Sequence, residues 1–159
     1  MNTRVINQDG LELIKTAEGF RARAYLCPAG VPTIGYGHTR GVTRADVERG
    51  RTITEVEASV MLRSDLAEAE GAVTRLVRVP LEDCEFAALV SFTFNLGAKA
   101  LEESTLLWLI NNGYKRDAMM QFQRWCKANG KILQGLVRRR AAEQALFRGE
   151  DWRPVWEQL

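Results

Sequence analysis

The stretch EGFRARAYLCPAGVPTIGYGHT, which covers residues 18–39, decides the fold that we expect for this chain. Bulky side chains alternate with polar or small ones over Phe20–Tyr25 and again over Thr33–His38. The turn-forming residues Cys27-Pro28-Ala29-Gly30 lie between these two segments. Alternation with a period of two is typical of strands, and proline and glycine are typical of turns. The stretch therefore predicts a small β-hairpin.

Helical patterns precede and follow the hairpin. An opening helix is predicted from its N-cap, Asn7, to Glu18, with Gly19 as its stop. A second helix is predicted from a capping box between Thr54 and Glu57 to about Gly71. A central apolar helix is predicted to have Pro80 as its first residue and to end at Gly97. Further helices are predicted over 106–110, capped by Ser104, and over 115–127 and 134–147. Helix dominates after the hairpin, so the fold class is α+β.

Composition places the chain among ordinary soluble domains. Of its 159 residues, 46% are hydrophobic and 26% are charged, which favours one domain with its own core. The net charge of +2 is too small to indicate a nucleic-acid partner. The run Arg138-Arg139-Arg140 spans about 200° on a helix, so its side chains cannot all face one groove. The sequence has no apolar core of a signal peptide and no run of about 18 apolar residues that could form a membrane anchor. We therefore expect the product to be held in the cytoplasm.

The three cysteines match neither a disulfide framework nor a metal-binding spacing, so no metal and no cofactor are expected. Cys84 and Cys126 follow helical apolar patterns and are predicted in the core, whereas Cys27 lies in the hairpin turn. The four tryptophans are predicted to pack in the core and between helices rather than to form a sugar-binding platform; they are Trp108, Trp125, Trp152 and Trp156.

Glu18 is the strongest candidate for chemistry. It follows Leu11 by seven residues, a rotation about 20° short of two helical turns, so it continues the apolar stripe of the opening helix. It also ends that helix, where the macrodipole and partial burial both disfavour a charged carboxylate. A carboxyl group that keeps its proton can act as a general acid in glycoside cleavage. On helical position alone, the alternative is a solvated residue at a helix end.

A glycosidase also needs a second polar group opposite its acid. Cys27 in the turn and Thr33 on the second strand are the groups that the hairpin offers. By strand alternation Thr33 points away from Ile34 and Tyr36, so its hydroxyl is predicted on an open face where it can hold the attacking water.

The strings Glu18–Tyr25 and Pro32–Thr39 closely resemble the catalytic segment of the phage-type lysozymes, the T-even and lambdoid endolysins. That pattern is Glu, eight residues, Asp or less often Cys, five residues, Thr, and Glu18, Cys27 and Thr33 keep both spacings. Later segments resemble the family in the same order, so the resemblance covers nearly the whole chain; they are 88–97, 104–107 and 135–147.

The resemblance implies a lysozyme-like, mostly helical α+β fold in one domain over 1–159. A small lobe with the hairpin would cover about 19–55, and a helical lobe would cover about 72–159 plus the N-terminal helix, with the catalytic cleft between them. The implied activity is hydrolysis of the β-1,4 bond between N-acetylmuramic acid and N-acetylglucosamine in bacterial peptidoglycan. The implied endolysin is a monomer that waits in the host cytoplasm until a membrane lesion, such as a holin pore, admits it to the periplasm.

The family pattern also implies roles for single residues. Glu18 would donate the proton, the Cys27 position would aid water attack or stabilise positive charge, and Thr33 would hold the water. In the helical part, Phe94, Asn95 and Thr105 would bind saccharide, and Arg139 would approach Glu18, where its charge opposes the burial and dipole effects. His38, the only histidine, is predicted to be structural rather than the base for Cys27.

Three questions stay open at this point. Cys27 stands where most relatives have Asp, and it acts either as a tuned thiolate or as a bystander. The reaction is hydrolysis or, alternatively, that of a lytic transglycosylase, which uses the sugar's own hydroxyl in place of water. A third alternative is a wall-binding homologue that has lost activity with the change from Asp to Cys.

Overall fold

The computed structural model of the chain describes residues 3–159. The described chain divides into two compact units. The hairpin unit comprises Lys15–Ala67, and the helical unit comprises the chain up to Ile14 together with Glu68–Leu159.

The opening helix α1 covers Gln8–Glu18 and confirms the predicted cap and stop. Asn7 caps it, because its Oδ1 accepts the Gly10 amide at 3.0 Å. Gly19 ends it in the left-handed conformation, φ +73°, which glycine adopts without a steric penalty. Glu18 is thus fixed as the last helical residue.

The predicted hairpin is confirmed, with strand β1 over Arg21–Leu26 paired antiparallel to β2 over Pro32–Gly35. The Cys27 amide donates to the Val31 carbonyl at 3.0 Å and closes the turn. The second strand is shorter than predicted, since Ile34 and His38 exchange two backbone hydrogen bonds of 2.9 Å. The chain therefore turns back after β2 instead of remaining extended to His38.

Two helices complete the hairpin unit. The six-residue α2, Arg44–Arg49, was not predicted; Thr43 caps it and Asp46 returns a hydrogen bond to the Thr43 amide. The long α3 covers Glu55–Leu76 and begins at the predicted capping box. It continues past Gly71 and into the helical unit.

The central helix of the helical unit is α4, Asp83–Leu96, and it is buried along most of its length. The prediction that Pro80 opens it is wrong, because a capping box between Glu82 and Glu85 sets the start three residues later. Gly97 ends it as predicted. Helix α4 packs against α8, Gln134–Phe147, whose bounds agree with the sequence prediction, and the short α5 covers Ala98–Glu102.

The region after α5 is more broken than predicted. Ser104 caps α6, Thr105–Asn111, as expected. The single helix predicted over 115–127 is wrong, because α7 stops at Met119 and gives way to a 3₁₀ turn. The elements that follow the capped helix are α7 (Lys115–Met119), the 3₁₀ turn (Phe122–Arg124), β3 (Lys127–Ala128), β4 (Lys131–Ile132) and, after α8, α9 (Arg153–Gln158).

The core of the helical unit is apolar and closely packed. Its fully buried side chains include Phe86, Leu89, Phe92, Leu101, Leu106 and Phe122. Trp152 belongs to this core as predicted, whereas Trp108 is 59% exposed and contradicts the prediction. Cys84 and Cys126 are only half-buried, since each lies at the end or beyond the end of a helix rather than in its middle. No helix within residues 3–159 has the length and apolar character that a membrane span requires.

Candidate active site

Glu18 lies against the hairpin rather than in open solvent. Its side chain is half-buried, and a β-carbon placed on Gly37 would lie 3.5 Å from Glu18 Oε2. Gly37 has a φ of +78°, so the backbone approaches the carboxyl in a conformation that other residues rarely adopt. The hairpin therefore partly shields the Glu18 side chain from solvent.

Tyr36 fixes the backbone segment that meets Glu18. Its ring is buried, lies 5.5 Å from that of Phe20 and is covered by the Lys15 ammonium at the same distance. Its hydroxyl donates to Glu55 Oε1 at 2.8 Å. Burial raises the pKa of Tyr36 to about 12, and the hydrogen bond to Glu55 and the negative charge of Glu55 act in the same direction. Tyr36 is thus a neutral anchor that holds Gly37 beside the carboxyl.

Cys27 sits in a turn that favours its thiolate. The backbone amide of Val31 lowers the pKa of the Cys27 thiol most, and partial burial opposes this effect. The backbone amides of Ala29 and Gly30 lower the pKa of this thiol further. Successive amides that converge on one atom form an anion-binding concavity, so the turn stabilises negative charge on this sulfur.

Thr33 lies beside Cys27, as the spacing predicted, but not on an open strand face. The side chain is 3% exposed, and its hydroxyl donates to the Val31 carbonyl at 2.9 Å. The alternation prediction fails because both faces of β2 are covered: residues 33–36 are all buried, and a β-carbon on Gly35 would lie 3.0 Å from Ala58 of α3.

His38 has a structural partner. Its Nδ1 lies 2.7 Å from Asp65 Oδ2, and the two side chains are only 13% and 18% exposed. A carboxylate thus holds the imidazole ring, and the structural role of His38 stays a prediction. Sequence reasoning missed Asp65, which lies 27 residues away on α3 and carries no local signal.

The helical unit contains a buried charge cluster, made of Ser91, Arg139, Arg140 and Glu143. Glu143 is completely buried and accepts from Ser91 Oγ at 2.7 Å. Arg139 Nε lies 3.3 Å from Glu143 Oε1, and Arg140 Nη1 lies 3.0 Å from Glu143 Oε2. One carboxylate thus serves two buried guanidinium groups, so Arg139 and Arg140 do not contribute to an exposed basic face.

The three predicted saccharide-binding residues also lie in the helical unit. Phe94 is half-buried, whereas Asn95 and Thr105 are exposed. Asn95 Oδ1 accepts a hydrogen bond from Arg140, so the buried charge cluster orients it. Thr105 lines a cavity of about 290 Å³ together with Glu103, Ser104, Gln121, Arg124 and Trp125. Within residues 3–159, no cluster of three His, Cys, Asp or Glu side chains could hold a metal ion.

Comparisons with known proteins identify the family and the fold of the chain. The family model described as Phage lysozyme matches residues 15–143, which include Glu18, Cys27 and Thr33. The endolysin of Acyrthosiphon pisum secondary endosymbiont phage 1 is 42% identical over 89% of this chain and 97% of its own length. A crystal structure of a P22 lysozyme mutant superposes with a TM-score of 0.83 at 38% identity, over 91% of this chain and 99% of that one. The muramidase domain of SpmX from Asticaccaulis excentricus gives a TM-score of 0.82 at 39% identity, over 91% and 97%.

Proposed function

The chain belongs to the phage lysozyme family, and from that premise we propose how its residues cleave the glycan strands of bacterial peptidoglycan. It is an endolysin, a glycoside hydrolase whose target is the β-1,4 bond between N-acetylmuramic acid and N-acetylglucosamine, and its action lyses the host cell. The observation that carries the proposed mechanism is the Glu18 carboxyl held against Gly37, in the unit that also contains Cys27 and Thr33.

In the proposed reaction Glu18 is the general acid. It protonates the glycosidic oxygen as the bond to the anomeric carbon breaks, so the leaving sugar departs as a neutral alcohol. The half-buried position supports this role, because the end of α1 and the nearby Gly37 backbone limit the space that the carboxyl can occupy. A fixed donor avoids the entropy cost of orienting a mobile one.

Cys27 and Thr33 would serve the incoming water. The Cys27 thiolate, stabilised by turn amides, either accepts a proton from that water or stabilises the positive charge that develops on the sugar. The Thr33 hydroxyl has one proton, which the Val31 carbonyl accepts, and its remaining lone pairs can accept a hydrogen bond from water. His38 and Asp65 would act as positioning residues that hold the backbone near β2.

A substitution pair tests the thiolate. We expect Cys27→Ser to lose about 10- to 100-fold in turnover, because a serine hydroxyl is not ionised near neutral pH, whereas Cys27→Asp retains most activity. Since the folded pKa of Cys27 is lowered, wild-type activity should fall as the pH drops through that lowered pKa. Cys27→Asp should shift this acid limb to lower pH, toward about 4. The measurement is the rate of clearing of permeabilised Gram-negative cells from pH 4 to 9.

The control for this pair is Cys84→Ser, since Cys84 is half-buried in the other unit and its pKa is raised by burial. It should leave the pH profile unchanged. Full activity in Cys27→Ser, with an unaltered profile, would make Cys27 a bystander and contradict its role.

The helical unit would supply substrate contacts. We assign saccharide binding to Phe94, Asn95 and Thr105, and the exposure of Asn95 and Thr105 supports this role. Arg139 would act as a positioning residue through the buried charge cluster.

We further propose that the enzyme works as a monomer without cofactor, and that it waits in the host cytoplasm until a holin-type lesion opens the way to the wall. Expression with and without a holin, followed by culture turbidity, tests this route.

Mass analysis of digested wall tests the reaction itself. Hydrolysis leaves reducing N-acetylmuramic acid ends, with a gain of one water for each bond that is cleaved. Anhydro-muramic ends would instead indicate a lytic transglycosylase, and an absence of fragments would indicate a wall-binding protein without activity. We expect reducing ends only.

A further inference from the structure

Two aromatic side chains on the helical unit are more exposed to solvent than side chains that pack in a core. Trp108 on α6 is 59% exposed and Tyr114 is 53% exposed. Their rings are nearly parallel, at 17°, with centroids 6.2 Å apart. At this separation the rings are offset rather than fully overlapped, so most of their area remains open. We call this pair the aromatic surface.

The backbone holds the aromatic surface in place. The Ser104 cap fixes the start of α6, and the Trp108 carbonyl accepts the side-chain amide of Asn112 at 2.7 Å. Gly113, with φ +82°, turns the chain so that the Tyr114 amide returns to the Leu109 carbonyl at 2.9 Å. These hydrogen bonds hold the backbone beneath both rings, so a flat ligand would meet a prepared surface.

Cations flank the aromatic surface. Asn111 accepts the Arg78 amide at 2.8 Å and donates to the Leu76 carbonyl, which places Arg78 beside the end of α6. Arg116 follows Tyr114 by two residues. Both arginines are exposed, and within residues 3–159 neither forms an ion pair. Lys115, which follows Tyr114, pairs with Glu85 at 2.7 Å, and α7 carries one further acid, Asp117. The three cations Arg78, Lys115 and Arg116 thus outnumber these two acids.

We propose that the aromatic surface is a second binding site for the glycan strands of peptidoglycan, separate from the residues assigned to catalysis. This inference rests on the proposed function, which makes peptidoglycan the substrate. The C–H face of a pyranose ring is flat and apolar, so it packs on an exposed aromatic face while its hydroxyl groups remain in water. The flanking arginines complement the carboxylates of the stem peptides that the glycan carries.

Binding to insoluble wall measures the site directly. Intact protein carrying Glu18→Gln, which prevents digestion, is sedimented with purified sacculi at increasing wall concentration. Adding Trp108→Ala should weaken binding about 5- to 10-fold, since aromatic anchors dominate such contacts, and Trp108→Phe should restore most of it. The matched control is Val60→Ala, because Val60 is a similarly exposed apolar residue, at 67%, on α3.

Salt and substrate size complete the test. Arg78→Gln with Arg116→Gln should weaken binding at low ionic strength and have less effect at high salt. In proteins with Glu18 intact, Trp108→Ala should reduce cleavage of sacculi more than cleavage of short soluble peptidoglycan fragments. Unchanged binding in Trp108→Ala, or an equal loss in Val60→Ala, would overturn the aromatic surface. If the parent protein cleaves neither substrate, the proposed function fails instead, whatever the binding results are.

Discussion

Glu18→Gln is expected to lower the rate of wall hydrolysis by about 100- to 10,000-fold, the range that a positioned general acid contributes. Glutamine has nearly the same shape and keeps one of the two acceptor oxygens, so the contact with Gly37 can persist. It has no acidic proton to give to the leaving oxygen. The loss should therefore appear in kcat at every pH between 5 and 9, while binding to sacculi is retained.

A matched control separates chemistry from folding. Glu48→Gln, on the exposed surface of α2 in the same unit, makes the same change in charge, and it should retain full activity. Both variants should keep the wild-type unfolding midpoint within a few degrees. A Glu18→Gln enzyme with more than a tenth of wild-type turnover would remove Glu18 from the proposed role.

Local signals were sufficient wherever one short segment sets the backbone. The Asn7 cap, the Gly19 stop and the Thr54 capping box each act within three or four residues, and the structure contains all three. The missed α2 also has a local signal, because Thr43 and Asp46 form a capping box, but Asp in place of the usual Glu or Gln conceals it. The central helix shows how such a signal decides a boundary. It begins after the capping box formed by Glu82 and Glu85, and not at the nearby Pro80.

Tertiary context decided the elements that sequence reasoning misplaced. The pattern over 115–127 is apolar enough for one helix, yet Phe122 is buried against Phe92 and Phe147, and the chain breaks to bring it there. Asn129 and Gly130 both have positive φ, so they close the two-residue turn of β3 and β4 after that break. Trp108 is the opposite case, because 59% of its surface stays exposed although Leu107 and Ile110 on the same helix are buried.

The residues of the candidate site could be predicted from their spacing, but the side chains and backbone groups that surround them could not. Glu18, Cys27 and Thr33 are identified by the intervals between them, and the structure adds the turn amides that favour the Cys27 thiolate. Asp65 could not be predicted, since its pairing with His38 depends on how α3 crosses the hairpin. The environment of Thr33 was equally inaccessible, because strand alternation describes one strand and not the helix packed on it.

The largest loss of stability is expected from Glu143→Gln. Glu143 is completely buried and is the carboxylate that Arg139 and Arg140 share, so its neutralisation leaves two buried guanidinium groups without that partner. Burial already lowers the pKa of Arg140, and Glu143 opposes this effect. Removing one member of a buried ion pair typically costs about 3–5 kcal/mol in the free energy of unfolding. Urea unfolding followed by circular dichroism measures the change.

The control and the compensating variant show whether charge is the cause. Glu150→Gln removes an exposed partner of Arg148 at 3.6 Å and should change the free energy of unfolding by less than about 1 kcal/mol. Adding Arg140→Leu to Glu143→Gln should recover part of the loss, because it removes from the core the buried Arg140 charge that Glu143 had balanced. If the double variant is less stable than Glu143→Gln alone, packing and not charge balance explains the cluster.

Arg140 also donates a hydrogen bond to Asn95, so the double variant tests a second role of the cluster. If its stability recovers while its activity falls, the cluster positions a substrate-binding residue as well as stabilising the helical unit.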